Sequence, residues 1–430
     1  ALGTLGLLVL PGLYAGPGLS FIDAVFTATS AVCVTGLIVV DTATYFTAVG
    51  QAWIALLIQL GGLGILTIAT AVIVVIGRHP GLSVHESVGQ QTLHRSMPSI
   101  RRLLWSVVAL TLIAECTGAL LLWIRWAAEL GWSTAVGHAV FHAISAFCNA
   151  GFSTFSASLI GFRHDSVTLG IVGVLVVLGG LGFVVCADLW MRYALRRTRR
   201  LSLHATLVLA TTAILVAGAA VLFYGFEAGN TLADLPPIDR VANAVFMAVT
   251  PRTAGFNTVN YDTITDPSLV LTTLLMVVGG SPGSTAGGIK TTTVALLALL
   301  FVSYLRGRRD VSVRGRPVPP EVVSLATGIV VAGAIILASA VFLLMLSEVS
   351  PETTGRAVLV RAGFEAVSAF GTVGLSMGTT TSLTTAGKLV ITFLMFLGRV
   401  GPLTLAAAMA IAGRRRRVHY RYAHESVVVG

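Results

Sequence analysis

Charge is what this chain has least of. Only 11% of its 430 residues are Asp, Glu, Lys or Arg, about half the share usual in soluble domains. With 55% hydrophobic residues and a mean hydropathy of +0.88, the composition excludes a soluble enzyme. One hydrophobic core does not grow to hold several apolar runs of such length. Cysteine is scarce too. Cys33, Cys116, Cys148 and Cys186 are scattered through apolar sequence with no CxxC pair, which argues against a disulfide framework and suits buried small hydrophobes. No stretch is polar and long enough for a nucleotide-binding domain, and no glycine fingerprint sits between a strand and a helix. No signal peptide is visible. The opening ALGTLGLLVLP gives about half a span before Pro11, so the first helix is expected to have lost its beginning.

What is present instead is long apolar runs, such as LLWSVVALTLIAECTGALLLWI from Leu103 and LATGIVVAGAIILASAVFLLML from Leu325. Each can span the hydrocarbon layer. The net charge of +10 raises the question of nucleic acid, but its distribution answers it. Of 28 Lys and Arg residues, 19 lie in residues 78–102, 192–200, 306–316 and 414–421, each after an apolar stretch. The acidic Glu129, Asp165, Asp234, Asp239, Asp262, Asp266, Glu348 and Glu352 favour the other connections. This is the positive-inside pattern, with Arg-rich loops and the C terminus in the cytoplasm of a plasma-membrane protein. No nucleic-acid partner is expected.

The chain repeats a unit four times: a long apolar helix, a short helix ending at a glycine, and a second long helix. Phe26, Phe141 and Phe364 each lie ten residues before Gly36, Gly151 and Gly374; Phe246 lies nine before Gly255. A second landmark follows, its first glycine 24–28 residues later: GGLG at 61–64, GGLG at 179–182, GGSPG at 279–283 and LGRVG at 397–401. The repeats are assigned to residues 1–78, 100–197, 201–306 and 320–413, with a cytoplasmic tail at 414–430. Because every second long helix ends in a basic segment, the short helices must enter and return on the outer side. The expected fold class is an all-α polytopic membrane protein with eight spanning helices, including a continuous one over 167–193, and four re-entrant half-helices. Backbone that leaves the helix at membrane depth is tolerated only where protein covers it or water reaches it.

A half-helix of about 11 residues reaches roughly 16 Å, half-way through the hydrocarbon. Ser20 and Asp23 resemble a capping box at the start of the first one. Its C-terminal end would point partial negative charge inward and favour a cation. Glycine then allows the return turn and a close approach of carbonyls to an ion. The candidate ion-binding residues are Val34, Thr35 and Gly36; Asn149, Ala150 and Gly151; Thr253, Ala254 and Gly255; and Thr372, Val373 and Gly374. None is acidic, which suits a large monovalent cation better than a divalent one. Tight helix packing explains one such glycine; four in register favour a pore.

FIDAVFTATSAVCVTGLIVVDT (21–42), VTPRTAGFNTVNYD (249–262) and GGSPGSTAGGIKT (279–291) resemble the Trk/Ktr/HKT superfamily of cation transporters, and within it the Ktr-type membrane subunit. The resemblance covers essentially the whole chain. It implies a single-chain pseudo-tetramer around a central pore, potassium as the bound and transported ion, and no organic cofactor. Gly36 stands where the sodium-preferring plant branch often has serine, and the all-glycine set is associated with potassium. Sodium as a second ion is left open. The resemblance also implies a homodimer, a cytoplasmic ring of nucleotide-binding regulatory subunits, and a tail, YRYAHESVVVG, that contributes to dimer contacts. The basic segments could dock that ring or meet anionic membrane lipids.

The stretch from 269 to 304 is too long for one straight span and is interrupted by GGSPGSTAGGIKT. A Walker phosphate loop has different spacing and flanks, and a Pro282 kink explains one or two residues rather than ten. The reading is a flexible loop under the filter, in which Gly279, Gly280, Gly283, Gly287 and Gly288 ease rearrangement around Pro282, and Ser281, Ser284 and Thr285 supply hydroxyls. The resemblance implies an intramembrane gate here. Lys290 adjoins it and either serves it or snorkels; Arg399, at the matching landmark of the fourth repeat, is expected to anchor the loop or raise a barrier to cations. Arg252 either braces a filter strand through carbonyl contacts or faces outer water, and Lys388 has no assigned role. The alternative to a pore is an alternating-access secondary cation symporter, which favours inverted repeats.

Overall fold

Apolar chain in a membrane has no water to satisfy its backbone, and coiling into helices satisfies it internally. The computed structural model describes residues 1–77, 100–193, 196, 200–307, 312–313, 316–348 and 355–415. Among these residues the regular elements are helices joined by turns and loops, with a hairpin of two-residue strands, Ser312–Val313 against Arg316–Pro317. The Arg-rich segments lie largely outside the described residues, as does 416–430.

In chain order the helices are α1 (Leu2–Val9), α2 (Phe21–Val32), the single turn α3 (Thr42–Tyr45), α4 (Ala48–Gly77), α5 (Ile100–Leu130), α6 (Trp132–Phe147), α7 (Ser166–Leu181) and α8 (Phe183–Tyr193). There follow α9 (Leu203–Glu227), α10 (Pro237–Val249), α11 (Asp266–Val277), α12 (Thr291–Leu305), α13 (Pro320–Glu348), α14 (Gly355–Gly371) and α15 (Thr385–Arg415). The short helices α2, α6, α10 and α14 each stop just before the glycine turns. They hold 12, 16, 13 and 17 residues, so α6 and α14 exceed the expected length. Ser20 caps α2, accepting from Asp23 N at 3.2 Å. The reciprocal bond of a capping box is replaced by Ser20 Oγ donating to Asp23 Oδ2 at 2.8 Å.

Among the described residues, Trp105–Leu130, α9 and α13 are each long and apolar enough to cross a membrane, and α7 with α8 makes a fourth such segment if counted together. The continuous helix expected over 167–193 is not observed. It breaks at Gly182, which has φ +79°, and turns by 102°. The same GGLG sequence at 61–64 lies inside α4 without a break. The difference is tertiary: a Cβ on Gly182 would stand 2.7 Å from Ser281 Oγ and 2.9 Å from Gly283 O, because the 279–290 loop seats there. Cys33 and Cys148 are buried as expected and all four cysteines are free, but Cys116 is exposed.

The recurrent phenylalanines explain how the units join. Phe141 of α6 packs in the core of α1, α2 and α4, and Phe246 of α10 packs in that of α5, α6 and α7. Phe364 of α14 enters the cluster of α9, α10 and α11, and Phe26 of α2 enters that of α13, α14 and α15. Each unit therefore lends one aromatic ring to the unit before it, and the last is completed by the first. Burying a phenylalanine at such a join contributes about 3–5 kcal/mol relative to alanine.

Candidate functional site

Four turns with one backbone conformation follow the short helices. Val34, Asn149, Thr253 and Thr372 have φ of +55°, +59°, +72° and +50°, and two residues later Gly36, Gly151, Gly255 and Gly374 have +91°, +69°, +77° and +92°. A left-handed conformation at a non-glycine residue costs on the order of 1–3 kcal/mol and persists only where its surroundings enforce it. Here it recurs at the same place four times.

The turns meet one another. A Cβ on Gly36 would stand 2.4 Å from Ala150 O, one on Gly151 would stand 3.0 Å from Ala254 O, one on Gly255 would stand 2.3 Å from Val373 O, and one on Gly374 would stand 2.2 Å from Thr35 O. The sequence of contacts runs from the first turn to the fourth and back to the first. Thr35, Ala150, Ala254 and Val373 are fully buried between these glycines, as are Val34, Thr253 and Thr372, with Asn149 1% exposed. All twelve candidate ion-binding residues are thus brought together.

Each turn is held by a hydroxyl that the sequence reading passed over. Ser30 Oγ donates to Leu37 O at 2.7 Å, Ser145 Oγ to Phe152 O at 2.7 Å, and Thr250 Oγ1 to Phe256 O at 2.7 Å. In the fourth turn Ser368 Oγ accepts from Gly374 N at 3.1 Å. The signal was available: Ser or Thr stands six residues before three of the glycines and five before Gly255. In the second and fourth turns the half-helix adds a second tie, His142 Nε2 to Ser153 Oγ at 2.9 Å and Ser376 Oγ donating to Glu365.

The loop between α11 and α12 packs against these turns. Its ends pair, with Gly279 N donating to Ile289 O at 2.9 Å and Thr291 N to Gly280 O at 3.0 Å. Its middle ties to the broken helix, with Ser281 N donating to Gly180 O at 2.9 Å and Phe183 N to Gly283 O at 3.1 Å. Ser281 Oγ also donates to Leu181 O. Ser284 Oγ donates within the loop to Ser281 O at 2.6 Å, and Thr285 Oγ1 reaches Phe147 O at the end of α6 at 3.2 Å. Gly288 N donates to Gly398 O at 3.3 Å, and a Cβ on Gly287 would stand 2.2 Å from Thr372 Oγ1. Pro282 stays partly exposed, whereas Gly279, Gly280, Gly283, Gly287 and Gly288 are buried.

Arg399 is 5% exposed and donates to Thr285 O, while its Nε and Nη2 have no partner. Lys290 does not snorkel: its Nζ donates to Ala286 O at 2.6 Å. Arg252 does not face outer water; it is 7% exposed, and its Nη2 donates to Thr212 Oγ1 at 3.4 Å rather than to a carbonyl. Lys388 pairs with Asp23. Sequence reasoning also missed Glu115, a buried acid in the apolar run of α5, which accepts from Gln59 Nε2 at 3.0 Å and lies 3.7 Å from Cys148 Sγ. No group of three or more His, Cys, Asp or Glu suited to a metal ion occurs among the described residues. A cation held here would be held by backbone and hydroxyl oxygen.

Comparison with known proteins identifies the family and the fold. The profile of the TrkH family, described as a cation transport protein, matches residues 5–416. The chain is 38% identical over 430 residues to the Ktr system potassium uptake protein B of Bacillus subtilis, covering 99% of this chain and 93% of that one. It is 36% identical over 416 residues to the potassium/sodium uptake protein NtpJ of Enterococcus hirae, covering 96% and 91%. The crystal structure of the potassium transporter TrkH from Vibrio parahaemolyticus superposes with a TM-score of 0.74 at 21% identity, covering 95% of this chain and 81% of that one. At that identity the likeness speaks for the fold, an all-α polytopic membrane architecture.

Proposed function

Since the chain belongs to the TrkH family of cation transport proteins, a family of transporters and not of enzymes, we propose that it carries potassium across a bacterial plasma membrane through the axis its four glycine turns surround. The observation that carries this reading is the closed order of contacts, from Gly36 through Gly151 and Gly255 to Gly374 and back. Four turns of one conformation round one axis can present rings of carbonyl oxygen that replace the hydration shell of a monovalent cation. The half-helices that lead to them end with their partial negative charge toward that axis. The printed names of two relatives, potassium uptake and potassium/sodium uptake, agree with such a cargo. Closure of the last turn on the first favours a single fourfold axis over the two rocking halves of an alternating-access symporter.

The loop at 279–291 is the gate in this reading. It lies against Thr372, reaches the ends of α6 and α7, and touches the middle of α15 at Gly398, a position that supports its obstructing the axis. Arg399 and Lys290 hold its carbonyls at Thr285 and Ala286. In this proposal the chain forms a homodimer regulated by a cytoplasmic ring of nucleotide-binding subunits, with the C terminus on that side; the distribution of the basic segments supports the orientation.

Purified protein in liposomes loaded for potassium-driven flux tests the reading, with sodium, rubidium and lithium as competitors. Flux that favours potassium and rubidium over lithium is expected. A variant lacking residues 279–288 separates a shut gate from an absent pore, since it is expected to leak. A folded deletion variant that passes no cation overturns the proposal.

A further inference from the structure

The position three residues before each glycine is occupied by Cys33, Cys148, Arg252 and Gly371. Three are uncharged as thiols or glycine, and one carries a guanidinium. Arg252 is fixed in its turn by its own N–H, which donates to Val249 O at 3.1 Å at the end of α10. Its side chain is buried, its Nε has no partner, and its contact with Thr212 Oγ1 is long at 3.4 Å. No carboxylate pairs with it among the described residues. A buried charge without a counter-ion is costly in a membrane and is a functional hypothesis by default. The negative end of α10, three residues away, is the compensating charge on hand.

We propose that Arg252 is a specificity and affinity determinant: a fixed positive charge that cancels the negative end of one half-helix, weakens cation binding at the turns, and thereby speeds release. The inference rests on the potassium-pore reading above. Conduction needs binding favourable enough to admit an ion and weak enough to let it leave. Three equal half-helix ends attract the ion, and the fourth is neutralised. Arg399 and Lys290 also bring positive charge near the turns, but both hold carbonyls of the loop, so their effect changes when the loop moves. Arg252 belongs to the turn itself and acts whether the loop is shut or withdrawn. Glu115 is the acid at the corresponding place behind the second turn, beside Cys148, and faces a different half-helix.

Three residues of chain place Arg252 within roughly 10–15 Å of a bound ion, side chain included. At an effective dielectric constant of about 20, one charge at that distance alters monovalent affinity about tenfold. A divalent cation feels twice the energy, so the same change is about a hundredfold.

The test is potassium flux and Ba2+ block in liposomes holding the full-length chain. Arg252→Gln is expected to lower the half-saturating potassium concentration about tenfold, reduce maximal flux, and tighten Ba2+ block about a hundredfold. Arg252→Lys retains wild-type values of both. Thr212→Glu supplies the missing counter-charge with the arginine in place and shifts both ions in the direction of Arg252→Gln, which keeps the test decisive should the glutamine variant not fold. Equal factors for potassium and Ba2+, or a lysine variant that behaves like glutamine, overturn the inference in favour of a packing role. Wild-type protein without selective flux overturns the pore reading instead.

Discussion

Lys388 Nζ lies 2.7 Å from Asp23 Oδ1, joining the first turn of α15 to the first turn of α2 across 365 residues of chain. Both side chains are largely shielded, 18% and 23% exposed. Ser20 Oγ completes the carboxylate by donating to Asp23 Oδ2 at 2.8 Å. Comparable links join other neighbours: Ser166 Oγ donates to Asp239 Oδ1 at 2.5 Å between α7 and α10, and Arg361 lies 3.0 Å from Asp262 before α11. The pair at Lys388 closes the circle of units, last to first.

Removing one partner of that pair leaves the other charge poorly solvated. Lys388→Met is therefore expected to destabilise the protein by about 1–3 kcal/mol, more than an exposed ion pair contributes. Thermal unfolding in detergent measures it. A double-mutant cycle with Asp23→Asn should show coupling above about 0.5 kcal/mol; simple additivity would remove the pair from the closure of the ring.

The glycines separate two kinds of constraint. Gly12 has φ +76° with open space around it, whereas a Cβ on Gly255, at φ +77°, would stand 2.3 Å from Val373 O. Gly12→Ala is expected to cost about 1–2 kcal/mol of stability and leave potassium over sodium selectivity intact. Gly255→Ala must displace backbone in the ring and is expected to lose that selectivity. Competition flux on both variants decides; equal selectivity in both would show that ring spacing is not what discriminates.

The bracing hydroxyls are the next test. Ser145→Ala frees the buried Phe152 carbonyl and should cost about 1–3 kcal/mol, with a measurable fall in potassium selectivity. Ser145→Thr keeps the donor and should restore it. Selectivity unchanged in the alanine variant would confine the hydroxyl to folding.

Arg399 donates to Thr285 O and has two further nitrogens without partners. Arg399→Ala removes both the tie to the loop and a positive charge beside it, so cation flux is expected to rise several-fold. An unchanged flux from folded, correctly inserted protein would falsify its role in the gate.

Much of this was legible in the sequence. Alternation of apolar runs with basic segments marked a membrane protein. The fixed spacing of Phe26, Phe141, Phe246 and Phe364 from their glycines marked the four glycine turns. The ten-residue insertion of small residues between α11 and α12 marked the loop. Local chemistry forced each of these: helices where no water can serve the backbone, and glycine where φ is positive and neighbouring backbone is close.

What the sequence did not disclose depended on neighbours distant in the chain. The spacing of the phenylalanines gave no sign that each ring packs with the helices of the preceding segment. GGLG at 179–182 reads like GGLG at 61–64, but only the former breaks, because the loop from another unit docks on Gly182. Arg252 could have faced water, and Lys388 could have lacked a partner. By itself the sequence marked the apolar segments, a recurring pattern of phenylalanine and glycine, and the four glycines at which the backbone turns. The tertiary structure alone decided that the turns close into a ring, which charges are paired, and where the loop rests. Periodicity and backbone sterics act over a few residues, whereas packing, ion pairing and desolvation depend on what the rest of the chain brings alongside.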